Sequence, residues 1–132
     1  MIAQTKLLRA IEEQLDELVK RAENCVTNTN AAQTDLEESQ LRNLQNLASA
    51  TESVAVLENF IAYQIGRKKI PLDVGKQIMD NLRQISLLAE EISRQKGVDE
   101  QALRLLRIEM IRMYLGFLVR KFVAERKREE RT

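Results

Sequence analysis

LRNLQNLASATESVAVLENFIAYQIG, residues 41–66, decides how many helices this chain makes. Leu41, Leu44, Leu47, Thr51, Val54, Leu57, Ile61 and Ile65 step by three and four, which puts them on one broad helical face. Thr34 and Glu37 precede them in the S/T-x-x-E spacing of a capping box. A single helix from Thr34 to Ile65 would be roughly 45 Å long at ~1.5 Å per residue. ASATES (48–53) is a weak helix stretch, and a break between Ser49 and Ser53 is the alternative.

The same periodicity continues on both sides. A first helix is expected from Ile2 to Val26, with Leu8, Ile11, Leu15, Leu18, Ala22 and Cys25 on one stripe. TNTNAAQT (27–34) follows as a polar loop. Gly66 suits the position just past a helix, where positive φ costs glycine little, and Pro71 suits the first turn of the next. That third helix carries Val74, Ile78, Leu82, Ile85, Ala89 and Ile92 on one side and ends at Gly97. Asp99 is the expected N-cap of a fourth, with Val98 and Leu103 at staple positions.

From Leu103 to Val123 the fourth helix is apolar on most sides. Such a helix occupies the centre of a bundle or buries a spare face in another subunit. AERKREERT (124–132) reads as a charged tail fraying into solvent. The expected fold is all-α: a compact up-down bundle of four main helices over residues 1–123, one of them broken in the alternative. The 132 residues suffice for one core, and the scarcity of turn formers, 4 Gly and 1 Pro, favours long helices over short strands.

A net charge of +1 conceals an asymmetry. Through Ile65 five basic residues face ten acids, whereas from Gly66 onward sixteen face ten. In a four-helix up-down bundle Lys6, Arg9, Arg67, Lys68, Lys69, Arg120, Lys121, Arg126, Lys127 and Arg128 would share one pole. Glu23, Asp35, Glu37, Glu38, Glu90, Glu91, Asp99 and Glu100 would share the other. Helix dipoles explain part of this, but not Lys6 and Arg9 at a helix N-terminus.

Histidine is absent, which excludes Ser-His-Asp and Cys-His catalysis, His-bearing zinc sites and the Glu-x-x-His di-iron pattern. One cysteine makes no intrachain disulfide and no Cys₄ cluster, and Cys25 falls on the apolar side of its helix as an inert thiol. Neither G-x-x-x-x-G-K-[ST] nor G-x-G-x-x-G occurs. Adjacent acids such as Glu12-Glu13 and Glu90-Glu91 diverge on a helix and read as solvated faces. No enzyme, cofactor, metal site or small-molecule substrate is expected. MIAQTKLLRA lacks an apolar signal core and no run reaches membrane-spanning length, so a soluble cytoplasmic protein is expected.

What remains is binding. Arg67-Lys68-Lys69 follows Tyr63 and Gln64, a combination suited to phosphate contacts with an occasional base stack. Arg104, Arg107 and Arg112 add guanidinium groups able to grip phosphate with two hydrogen bonds. The plainer account makes the first three helix caps, lets the arginines snorkel, and puts Tyr63 and Tyr114 at the core edge.

ESQLRNLQNL (38–47), ENFIAYQIGRKK (58–69) and RIEMIRMYLGFLVRKF (107–122) resemble the small helical subunit of type III CRISPR–Cas effector complexes. Ser39, Leu41, Arg42 and Asn43 match one family element, and Tyr63, Gly66 and Arg67 a second; the family's Tyr-His-Lys-like ending is missing. The resemblance implies a non-catalytic bundle that stacks head to tail with further copies and meets a large neighbouring subunit. It also implies that basic side chains hold a guide RNA–target RNA duplex. The expected RNA contacts are Arg42, Arg67, Lys68 and Lys69, then Arg104, Arg107 and Arg112. The competing expectation is a protein–protein adaptor or oligomerising bundle without nucleic acid, using the apolar excess of the last helix.

Overall fold

α1 covers Ile2–Asn28, a short 3₁₀ turn Ala31–Gln33, and α2 Glu38–Ala50, in a computed structural model that describes residues 2–131 and side chains from Thr5 onward. α3 covers Val54–Gly66, α4 Leu72–Lys96 and α5 Glu100–Arg131, and no strand occurs among the described residues. The weak stretch has therefore broken, giving five helices rather than four. Thr51 is extended, its hydroxyl accepts the Ser53 N–H at 3.0 Å, and Ser53 caps α3 by accepting the Val56 N–H at 3.2 Å. Two short hydroxyl side chains thus offer the backbone partners that a continuous helix would have supplied.

The helix directions alternate throughout. Leu7 and Ile11 of α1 line a groove with Leu105 and Leu106 of α5, while Gln33 beyond the end of α1 donates to Glu129 at 2.8 Å, so α1 and α5 are parallel. α2 runs against α5, since Gln45 lies by Gly116 and Ala48 by Arg112. α3 runs against α4: Arg83 pairs with Glu58 at 3.0 Å, and the Ile61 and Ile65 side chains fill the space beside Gly75. A side chain at Gly75 would collide with Ile65, so glycine is what lets α3 come this close.

α5 is the axle. It packs against α1, α2, α4 and the 3₁₀ turn, and buries Leu106, Ile108, Met110, Ile111, Tyr114, Leu115, Leu118, Val119 and Phe122. Its apolar excess is spent inside the bundle, as a central helix requires. The helix also continues to Arg131 where a fraying tail was expected from 124. Arg126 gives the reason: its guanidinium donates to the carbonyls of Ala32, Thr34 and Leu36 at 2.9, 3.2 and 2.9 Å and lies over the Phe122 ring at 4.6 Å.

Several local expectations shift. Thr34 does not cap a helix with Glu37; its hydroxyl bonds the Ala31 carbonyl and accepts the Leu36 N–H, closing the 3₁₀ turn, and α2 begins only at Glu38. Pro71 sits one residue before α4 and accepts the Gly75 N–H at 2.9 Å. α4 ends at Gly97 as expected, with Gly97 left-handed (φ 64°), and Asp99 Oδ1 accepts the Ala102 N–H at 2.8 Å as the expected N-cap. No helix among the described residues is long and apolar enough to cross a membrane.

Arg126→Met should cost about 2–3 kcal/mol in urea unfolding, because it strands three carbonyls that are hydrogen-bonded to a charged group. Lys127→Met, one residue on and exposed, should stay within about 0.5 kcal/mol.

Candidate functional site

An added chain reversal changes which ends meet. With α1 and α5 parallel, Lys6 and Arg9 lie at the end where α5 begins, with Glu90, Glu91, Asp99 and Glu100. Glu37 and Glu38 lie at the opposite end, where α5 finishes with Lys127 and Arg128. The lengthwise separation of charge expected from a four-helix bundle does not exist. Each pole carries both signs.

The cations divide by how they are used. Arg42 pairs with Glu38, Arg94 with Glu91 and Arg112 with Glu109, while Lys121 at 2.8 Å and Arg128 at 3.2 Å share Glu125. The hydrogen bond from Lys121 holds the Glu125 carboxyl below the usual range. Arg112 also donates to the Ala48 carbonyl at 2.8 Å and the Thr51 carbonyl at 3.4 Å, so its donors go to the end of α2. Arg107 is half-buried, 3.9 Å from Glu90, and with Arg104 lines a depression that also holds Glu52 and Glu100. Three carboxylates against two guanidiniums make that depression a poor seat for phosphate.

Arg67, Lys68 and Lys69 form no carboxylate pair among the described residues, and all three are exposed. The turn that displays them is built by backbone bonds. Lys68 N–H donates to Ile65 at 2.9 Å, Lys69 to Gln64 at 2.8 Å and Ile70 to Gln64 at 3.2 Å. Ile70, 1% exposed, anchors the turn below while the three cations face out.

Gly66 is not the left-handed residue. Lys68 is, with φ 62°.

The seven expected residues do not form one surface. Arg104 and Arg107 sit near the start of α5, and Arg112 is turned inward. Arg42 lies with the Arg67–Lys69 turn at the far end, because the start of α2 faces residues 116–124 of α5 and the end of α3 faces the start of α4. One residue was missed and one was misplaced. Arg120 shares with Arg42 a groove of about 480 Å³ between α2 and α5. Tyr63 is 58% exposed, not at the core edge, and carries Arg67 over its ring at 5.4 Å; Tyr114 is fully buried. The spacing held the signal: two residues from both Ile61 and Ile65, Tyr63 points away from the stripe.

The remaining polar cluster is internal. Asn81 donates to the Tyr114 hydroxyl at 2.8 Å and to the Arg21 carbonyl at 3.4 Å, and Tyr114 bonds Cys25, tying α4, α5 and α1 together. Burial pushes the Cys25 thiol up to about 11 and the Tyr114 hydroxyl well above its ordinary value. A thiol so placed is inert. Among the described residues no group of three or more Cys, Asp or Glu is placed to hold a metal ion.

No family model, curated protein or solved structure matches this chain. The class defined by its own geometry is an all-helical bundle whose described residues include an exposed cationic turn without carboxylate partners.

Two outcomes follow. Lys68→Gly should raise stability by about 0.5–1 kcal/mol in thermal or urea unfolding, since relief of ~1–2 kcal/mol of left-handed strain exceeds the ~0.5–1 kcal/mol entropy cost of glycine. Cys25 and Tyr114 are neutral when protonated and their folded values are raised. Their contribution is therefore complete below pH 9 and declines as pH rises from 9.0 toward about 11, which alkaline unfolding curves should show and Cys25→Ala should lessen.

Proposed function

We propose that this chain is a non-catalytic, RNA-contacting structural subunit of the type III CRISPR–Cas effector kind. One observation carries it. Arg67, Lys68 and Lys69 stand exposed and free of carboxylate partners on a turn held rigid by backbone bonds. Helix capping alone would account for cations at this position, but not for a lysine in the left-handed conformation that a glycine would occupy more cheaply.

The sequence elements that carry the family resemblance, Ser39–Asn43 and Tyr63–Arg67, lie at the same end of the α2–α3 hairpin. Arg42 and Arg120 line the α2–α5 groove at that end, and Arg42 can exchange Glu38 for a phosphate because an exposed i,i+4 pair is worth only ~0.3–0.5 kcal/mol. Contacts of this type read backbone and not sequence, which suits a holder of a guide RNA–target RNA duplex. Head-to-tail stacking with further copies and contact with other subunits rest on the resemblance alone, since the poles are mixed in sign.

The adaptor alternative retains one specific feature. Leu8, 64% exposed, with Leu105 and Met113 borders the α1–α5 groove of about 380 Å³. The rest of the apolar excess of α5 is consumed in the core, which leaves the adaptor a small surface.

Filter binding of a guide–target RNA duplex and of single-stranded RNA across a salt series tests the proposal. The Arg67→Glu, Lys68→Glu double variant should bind at least about tenfold more weakly at low salt, with its log–log salt slope reduced by about 1.5–2. Its thermal midpoint should stay within a few degrees. Normal RNA binding by the double variant would refute the assignment, and absence of wild-type binding at low salt would favour the adaptor.

A further inference from the structure

We infer that Tyr63 is a stacking platform for one unpaired nucleobase, with Arg67 backing its ring and Lys68 and Lys69 taking the adjoining phosphates. The inference presupposes the RNA contact proposed above and adds the part of the nucleotide that the cations do not touch.

Tyr63 is the only aromatic residue among those described that is more exposed than buried; Tyr114 and Phe122 are in the core, and Phe60 and Phe117 are half-buried. Leaving a tyrosine in water forgoes the burial that aromatic rings normally contribute. The ring is also not loose. The Arg67 guanidinium, one helical turn on, lies over one face at 5.4 Å from the centroid. A base on the opposite face would complete a three-layer stack, with the cation–π contact already made. Just beyond, the left-handed Lys68 swings the chain off the helix axis.

The stretch itself is of one sign. No acidic residue occurs from Asn59 to Leu72; of the two acids that bound it, Glu58 is engaged by Arg83 at 3.0 Å and Asp73 forms no ion pair with the turn. An acidic peptide would satisfy the lysines and leave the ring idle. A nucleotide uses both, since every base has a π face and every linkage a charge. Within a duplex the bases are stacked on one another, so the ligand is a single-stranded nucleotide or one displaced from pairing.

The experiment measures binding of a short single-stranded RNA, and of the same RNA abasic at every position, to wild type, Tyr63→Ala and Tyr63→Phe. Tyr63→Ala should weaken binding of the intact RNA about tenfold, Tyr63→Phe should restore it, and the abasic RNA should bind wild type and Tyr63→Ala alike. The chain has no tryptophan and its only other tyrosine is buried, so a loss of tyrosine emission on adding RNA reports Tyr63 directly. Wild type that binds RNA with unchanged emission, and as tightly as Tyr63→Ala, would overturn the stacking and leave the phosphate contact standing. Wild type that binds no RNA would overturn both.

Discussion

Carbonyl groups at both ends of α2 lose water to α5, and two guanidinium groups replace it. Arg126 takes Ala32, Thr34 and Leu36 where the chain enters α2, and Arg112 takes Ala48 and Thr51 where it leaves. The two arginines are fourteen residues apart, close to four helical turns, so both project from nearly the same side of α5. An unmade backbone bond in such a place costs more than a made one contributes. A planar group with five donors can meet two or three carbonyls at once, which lysine cannot. This grip fixes α2 in register along α5, and with it the sharp reversal into α3.

The reversal has a consequence far larger than the three residues that make it. Helix ends in an up-down bundle are assigned to poles by counting turns, and one added turn changes the parity. Residues before the break keep their pole while those after it exchange. Lys6 and Arg9 therefore part from Lys127 and Arg128, and Glu37 and Glu38 join them, although every helix but one lies close to where periodicity puts it. What was legible was local. The stripe of α4, that of α1 from Ile11 to Cys25, the Gly97 and Asp99 caps and the buried Cys25 follow from spacing within one helix; Leu8, expected on the α1 stripe, is exposed, and Leu7 is buried in its place. What was not legible depends on carbonyl groups, which every residue shares and no residue type announces. Thr51 and Val54 continue the apolar spacing in register, yet the chain turns between them.

The same limit applies to the candidate site. A count of lysines and arginines cannot separate those that hold the fold from those left over. Arg112 and Arg126 look like surface cations in the sequence and act as internal fasteners in the fold. Arg42, Arg94, Lys121 and Arg128 have carboxylates within reach on their own helix. Such pairs contribute little to stability when exposed, but they lower the positive potential that a phosphate would meet. The Arg67–Lys69 turn escapes because it stands off the end of a helix: no acid lies three or four positions from Arg67 or Lys68, and Asp73, four beyond Lys69, forms no ion pair with it. Its isolation is a property of position as much as of composition.

Lys68 makes that isolation informative. A helix ending in a left-handed residue normally places glycine or asparagine there, since any other side chain crowds its own carbonyl. This chain has a glycine two residues earlier and does not use it for the purpose; Gly66 stays helical and Lys68 takes the strained position. Moving the glycine would remove the strain with no loss of packing, because Lys68 is exposed and only Ile70 anchors the turn. Stability alone therefore argues for a different order of letters. A lysine kept where it is costly, beside an arginine spread on an uncovered tyrosine ring, is the feature on which the proposed ligand contact rests. On the reading proposed above, a nucleotide repays the cost by bringing a phosphate to the charges and a base to the ring.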